Sequence, residues 1–155
     1  MQLPTSAAQT PISRLERNWA MAAHLSAFAG LAGVPFGHVV GPLIIYLLRG
    51  HESEFVGEHA RASLNFQITI SILAIIVAVV GGAVVLGTVA TAGGADAVSA
   101  AAQTAYGLSI ATAWIAIGVA VLIVLLLSII FIIVGTIRAS EGLPYTYPFA
   151  IRFLR

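Results

Sequence analysis

The most polar stretch of the chain holds the side chains best suited to chemistry. Within nine residues it carries two histidines and three glutamates, His51, Glu52, Glu54, Glu58 and His59, and Arg61 follows. Imidazole and carboxylate groups bind zinc, but the spacing matches no zinc site and no H-E-x-x-H motif occurs. We therefore predict no metal here. We expect an interfacial salt-bridge cluster in which a carboxylate pairs with Arg49 or Arg61.

Two features of the same stretch bear on its structure. Ser53 is suited to cap a helical turn, and Glu54 would favour the positive end of that turn. Phe55 and Val56 would then dip into the headgroup layer of a membrane.

A second set of candidates consists of polar residues within or beside apolar segments: His24, Asn65 and Gln67. Polar groups inside a bilayer are costly and therefore mark functional sites by default. The alternative, which we favour, is that His24 hydrogen-bonds to Asn65, Gln67 or a backbone carbonyl and only fixes the packing.

Composition determines the class of protein. Hydrophobic residues make up 59% of the 155 residues and charged residues 8%, and the mean hydropathy is +1.02, whereas soluble domains carry about 25% charged residues. The net charge of +1 provides no basic field for nucleic acid. Cysteine is absent, and no nucleophile motif or phosphate-binding loop occurs. We predict an integral membrane protein that is not an enzyme and holds no cofactor.

Three apolar blocks, residues 19–48, 66–91 and 105–137, each exceed the roughly 20 residues that a spanning helix needs. Pro35 and Gly37 interrupt the first block, which we divide into helices 19–33 and 39–49 joined by a Pro/Gly turn. These are either thin spans or a re-entrant hairpin. The predicted fold is an all-α, polytopic membrane bundle of four helices, with a flexible polar tail at 1–17 and one domain at 18–155.

The arginines predict the topology. They lie at positions 14, 17, 49, 61, 138, 152 and 155. If the first block returns to the side that it entered, all seven lie on one side, as the positive-inside rule prefers. We expect both termini in the cytoplasm, the loop around Asp96 outside, and location in the bacterial inner membrane.

Small residues suggest helix contacts. Ala74, Ala78 and Gly82 recur every four residues, a pattern that lets helix backbones approach closely in lipid. We expect intramolecular packing there, or a face for self-association or for other subunits. Trp114 is expected to be a packing residue.

The C-terminal segment is rich in aromatic residues and proline, and its candidate functional residues are Tyr145, Tyr147 and Arg152. It would lie extended on the inner headgroup surface, or fold against residues 51–61.

Several short motifs are familiar together. They are ERNWAM at 16–21, HLS at 24–26, GPLIIYLL at 41–48, ES at 52–53, FV at 55–56, EH at 58–59, LNFQ at 64–67, YTYP at 145–148 and IRF at 151–153. The chain resembles a bacterial family of small membrane proteins of unknown function. That family is similar to the small four-helix subunit of the chloroplast inner-envelope import translocon (Tic-twenty-like). The resemblance implies four helices with both termini on one side.

These observations favour a non-catalytic accessory subunit or scaffold that packs in the lipid bilayer against other membrane proteins or itself. One alternative, by analogy with the translocon subunit, is a component of protein translocation or of a channel. A second is a small-molecule transporter, although the spans lack the buried acidic residues that coupling normally uses.

Overall fold

The computed structural model describes residues 11–93 and 100–154, and these residues form helices and contain no strand. The elements in chain order are α1 (Arg14–Leu25), a 3₁₀ helix (Ser26–Gly30), α2 (Gly37–Arg49), α3 (Glu54–Gly93) and α4 (Ala100–Glu141). The expectation of an all-helical fold with four α-helices is confirmed. The loop around Asp96, expected outside, lies beyond the described residues.

The expected break in the first apolar block is confirmed, with shifted bounds. The turn between the 3₁₀ helix and α2 contains Pro35 and two residues with positive φ, Gly33 at 86° and Phe36 at 55°. Helix α1 begins at Arg14, so residues 14–17 of the expected tail are helical, and residues 1–10 lie outside the described part. At about 1.5 Å per residue, α1 and α2 are roughly 18 and 20 Å long, shorter than a ~30 Å hydrocarbon core.

Two serine caps determine where α1 and α3 begin. Ser13 and Glu16 form a capping box: the Glu16 amide donates to Ser13 Oγ, and the Ser13 amide donates to the Glu16 carboxylate. The predicted cap at Ser53 is confirmed, since its Oγ accepts from the Val56 amide at 3.4 Å. Residues 54–61 therefore form the first turns of α3. Phe55 and Val56 are buried, so the expectation that they enter the headgroup layer is wrong.

The chain divides into two compact units. The terminal unit comprises Met1–Phe66 and Ile132–Arg155, and the middle unit comprises Gln67–Phe131. In the terminal unit, alanines of α1 pack into two clusters, Ala23 with Ile45, Val56 and Ala60, and Ala20 with Phe55 and Ala139. The small side chains bring α1 close to α2, α3 and the end of α4. The single domain expected over 18–155 stays a prediction.

The middle unit consists of the long apolar stretches of α3 and α4. Gly81 of α3 lies close to Ile117 of α4, because a Cβ at Gly81 would be 2.9 Å from Ile117 Cδ1. The small residues that were expected to pack, Ala74, Ala78 and Gly82, do not take part in this contact. Ala74 and Ala78 are exposed, and a Cβ at Gly82 would meet nothing within 4 Å. The intramolecular prediction for that face is wrong, and the partner face stays a prediction. Trp114 is 55% exposed, so its packing role is wrong too.

Helices α3 and α4 contain segments long and apolar enough to cross a membrane, Glu54–Ala90 and Thr104–Glu141. In the most apolar 18-residue window of each, only 6% is buried, and Leu86, for example, is 72% exposed. Soluble monomers rarely expose apolar surface of this extent. By length and composition, α3 and α4 could therefore each cross a membrane, as expected for the second and third blocks.

Candidate functional site

A line of hydrogen bonds runs through the interior of the terminal unit and joins three helices or segments. The Tyr147 hydroxyl lies 2.8 Å from His24 Nδ1, and His24 Nε2 lies 2.8 Å from His59 Nδ1. His59 Nε2 lies 3.1 Å from the carbonyl oxygen of Leu143. We call this line, from Tyr147 to the Leu143 carbonyl, the histidine chain.

The acceptor at one end determines where the protons are. A carbonyl only accepts, so His59 Nε2 carries hydrogen and, in the neutral ring, its Nδ1 accepts. His24 therefore donates through Nε2 and accepts through Nδ1, and the Tyr147 hydroxyl donates to it. Every ring nitrogen is satisfied when both histidines are neutral.

Aromatic rings enclose the histidine chain. The rings of His24 and His59 meet edge to face with centroids 5.1 Å apart, Phe55 lies 4.6 Å from His59, and Phe66 stacks on Tyr147 at 4.2 Å. Both histidines are completely buried, and Tyr147 is 5% exposed. Water is thus kept from the polar atoms.

Burial determines the ionisation of the histidine chain. Removal from water, and secondarily the neighbouring His59, lowers the pKa of His24 from 6.5 to about 3. Burial also raises the pKa of the Tyr147 hydroxyl above its usual value. Both groups are neutral at pH 7, and a general base would need a pKa near the working pH and access to a substrate. The arrangement is suited to holding segments together.

The C-terminal segment, residues 143–154, is held to α3 at a second place. The Asn65 amide donates from Nδ2 to the Leu154 carbonyl at 3.0 Å and accepts from the amides of Phe153 and Leu154 at 3.1 and 2.9 Å. One side chain thus pairs with the backbone as a neighbouring strand would. We call residues 143–154 the strap.

The predicted intramembrane residues do not form one cluster. The ring nitrogens of His24 are both occupied by Tyr147 and His59, so the expected partners Asn65 and Gln67 are wrong. Gln67 belongs to the middle unit, where it is buried and its Nε2 has no hydrogen-bond partner. Of the candidates in the strap, Tyr147 is buried, Tyr145 is half-buried with its ring 6.0 Å from His24, and Arg152 is exposed.

The predicted interfacial cluster is largely dispersed. Arg49 pairs with Glu52, three residues along, and lies 5.1 Å above the Trp19 ring. His51, Glu54 and Glu58 are exposed, and the described residues provide no acidic partner for Arg61, which is half-buried. His59 points inward to the histidine chain. One local ion pair on the surface contributes little to stability.

The described residues also contain no group of three or more histidine, aspartate or glutamate side chains arranged to hold a metal ion. Sequence reasoning missed the role of His59, which it placed in the surface cluster. The signal for its inward position was the helical spacing of Phe55, His59, Ser63 and Phe66, all buried on α3.

No curated protein and no solved structure matches the chain, and the likeness to the Tic-twenty subunit is not shown. A family model described as the magnetosome magnetite crystal formation protein family (MamF/MmsF) matches residues 15–154, nearly the whole chain. The matched range includes His24, His59, Asn65 and Tyr147. The chain therefore belongs to the magnetosome magnetite crystal formation protein family.

Proposed function

We propose that the chain is a non-catalytic accessory protein of the membrane in which magnetite crystals form, and that it holds other membrane proteins or copies of itself in place. The observation that carries the proposal is the contrast between the two regions. The apolar surfaces of α3 and α4 are exposed, whereas the polar groups of the terminal unit are bonded to one another.

The distribution of polar groups supports an assembly role over transport. A conducting path needs polar groups that line it. Of the candidate polar residues, His24 is hydrogen-bonded to Tyr147 and Asn65 to the Leu154 carbonyl, and both partners belong to the strap. The large side chains that the structure shows exposed in the middle unit are mostly apolar, which is suited to lipid and to the helices of other membrane proteins.

We further propose a multi-pass protein of the bacterial inner membrane with both termini in the cytoplasm. This topology is supported by the arginines, which lie near both termini and near the start of α3. The positive-inside rule favours the cytoplasmic side for such residues. Because the chain has no cysteine, single cysteines at positions 2 and 96 can be labelled on intact cells with a membrane-impermeant maleimide. Position 96 should react and position 2 should not; reaction at position 2 would contradict the topology.

The assembly role is tested by purification in a mild detergent followed by mass spectrometry. We expect a defined membrane-protein partner, or a defined oligomer, and no ion conductance when the purified chain is placed in liposomes. A matched variant, Gln67→Leu, removes a buried amide nitrogen that has no partner and should leave the assembly intact. Conductance that is lost in this variant would instead support the channel or translocation component suggested by the Tic-twenty resemblance.

A further inference from the structure

The hydrogen bonds that attach the strap to the rest of the terminal unit differ in kind. Its first residue bonds through the Leu143 carbonyl to His59, Tyr147 bonds to His24, and its last residues bond to Asn65. The strap follows Gly142, whose φ of 74° makes a sharp turn after α4. A segment held by side chains after a glycine turn can detach without unfolding the helices.

Two of these attachments end on histidines that are neutral in the docked strap. A first proton on the pair leaves the hydrogen bonds in place, because the Tyr147 hydroxyl and the bond between the rings can each reverse direction, and the Leu143 carbonyl still accepts from His59. A second proton makes donors of both His24 Nε2 and His59 Nδ1, which face each other, and the bond between the rings is lost. Each proton also places a charge in a site shielded from water.

The surroundings offer such a charge no counter-ion. The strap contributes Tyr145 and Tyr147 to the site, α3 contributes His59, and α4 contributes Gly135, which lies against the His24 ring. Two arginines lie near this region: Arg138 acts on Tyr145 of the strap, and Arg17 lies beside Gly142, which precedes the strap.

Helix α2 also provides no counter-ion for the two histidines. On α2, the described contacts of Arg49 are with Glu52 and Trp19 and not with either histidine. No carboxylate bonds to either ring in the described part of the chain. The Leu143 carbonyl favours a charged His59, but no carboxylate compensates the removal of either charge from water.

We propose that the strap is an acid-released latch: it is docked while His24 and His59 are neutral, and proton uptake by this pair detaches residues 143–154 and uncovers the Asn65 amide and the Phe66 ring. The direction follows from linkage. In the detached state the imidazoles are hydrated and titrate near pH 6.5, so protons are bound mainly by that state below this pH. Between pH 8 and pH 5 the detached fraction should rise up to roughly a thousandfold, about thirtyfold for each imidazole.

The latch is tested by a distance measurement on the full chain in lipid nanodiscs. Cysteines at Glu58 and Phe149, two exposed positions on α3 and on the strap, carry spin labels in a chain without other cysteines. At pH 8 we expect one narrow distance distribution, and at pH 5 an added broad, longer component. A distribution that does not change between pH 8 and pH 5 overturns the proposal.

Two variants assign the effect to the histidine pair. His24→Gln with His59→Gln keeps one donor and one acceptor at each position but cannot be protonated, so the strap should stay docked at pH 5. His51→Gln changes an exposed histidine next to Tyr46 and should respond as the parent does. An equal response of the double variant and the parent overturns the proposal.

A third variant covers failure of the double variant to fold. Tyr147→Phe removes one bond to the strap and leaves both titrating rings, so the detached component should be larger at pH 8 and should still grow at pH 5. If it does not grow on acidification, the latch is not controlled by the pair.

Discussion

The hydroxyl of Ser53, which caps α3, donates a 2.7 Å hydrogen bond to the carboxylate of Glu16, which closes the capping box of α1. One carboxylate thus joins the first turns of two helices, through residues that are 37 positions apart in the sequence. The charge also lies where both helix dipoles favour it, at their N-terminal ends. This contact adds to the packing of Ala20 and Ala23 that holds α1 against α3.

We therefore predict that Ser53→Ala destabilises the protein by about 1 kcal/mol, since it removes an N-cap as well as a link between helices. Thermal unfolding in detergent, followed by circular dichroism, measures the change. Ser140→Ala is the matched control, because the Ser140 hydroxyl is exposed and bonds only within its own helix to the Ile137 carbonyl. Equal effects of the two variants would show that the Ser53–Glu16 contact does not stabilise the protein.

The same contact predicts an acid dependence. The Ser13 amide, followed by the Ser53 hydroxyl, holds the pKa of Glu16 below its usual value of 4.5. A lowered carboxyl pKa stabilises the folded state above pH 4.5, and the contribution is lost as the pH falls through the folded-state value. Glu16→Gln should therefore lower the melting temperature at pH 7 and differ less from the parent at pH 3.5. A difference that grows on acidification would contradict this role.

The helices were predictable from the sequence because their signals are local. Uniform apolar runs predicted α3 and α4, and Pro35 with its flanking glycines predicted the break between α1 and α2. The start of the long helix α3 at Glu54 does not follow from the polar run 51–61, although Ser53 is identified there as the cap of a helical turn. Tertiary burial of Phe55 and His59 stabilises these first turns, and composition alone does not show burial.

The histidine chain could be predicted only in part. His24 was identified as a buried polar residue that fixes packing, but its partner Tyr147 lies 123 residues away. A hydrogen bond between residues so distant leaves no periodic pattern in a single sequence. The strap shows the same limit: the prediction left open whether it lies on lipid or against the protein, and the contacts with Asn65 and His59 place it on α3.

The hydroxyl of Tyr147 offers a direct test of the histidine chain. Tyr147→Phe leaves the stacking on Phe66 in place but deprives the buried His24 Nδ1 of its donor, so we expect a loss of about 1–3 kcal/mol. Chemical unfolding in detergent, monitored by near-ultraviolet circular dichroism, measures it. Tyr106→Phe, on α4 in the middle unit, is the control and should have little effect. A stability for Tyr147→Phe equal to that of the control would mean that the hydroxyl bond contributes nothing.

The Asn65 clamp predicts how the strap responds to protease. Arg152 is exposed, but trypsin needs an extended and detached segment in order to cut after it. Asn65→Ala removes three hydrogen bonds to the strap and should speed cleavage after Arg152, which mass spectrometry detects as loss of residues 153–155. Asn18→Ala changes an exposed asparagine on α1 and should leave the rate as in the parent. An unchanged rate in Asn65→Ala would show that the other attachments hold the strap without it.

Two glycines of α4 provide the sharpest test of how closely the histidine chain is packed. A Cβ at Gly135 would lie 3.0 Å from atoms of both the His24 ring and the Tyr145 ring, whereas a Cβ at Gly118 would meet nothing within 4 Å. Alanine is the better helix former at both positions by about 1 kcal/mol. Gly118→Ala should therefore be neutral or stabilising, and Gly135→Ala should destabilise by about 1–3 kcal/mol, since the His24 ring is fixed by hydrogen bonds to Tyr147 and His59 and cannot move aside. Melting temperatures in one detergent compare the pair directly. A stabilised Gly135→Ala variant would mean that His24 moves away without cost, and the close packing inferred around the histidine chain would be wrong.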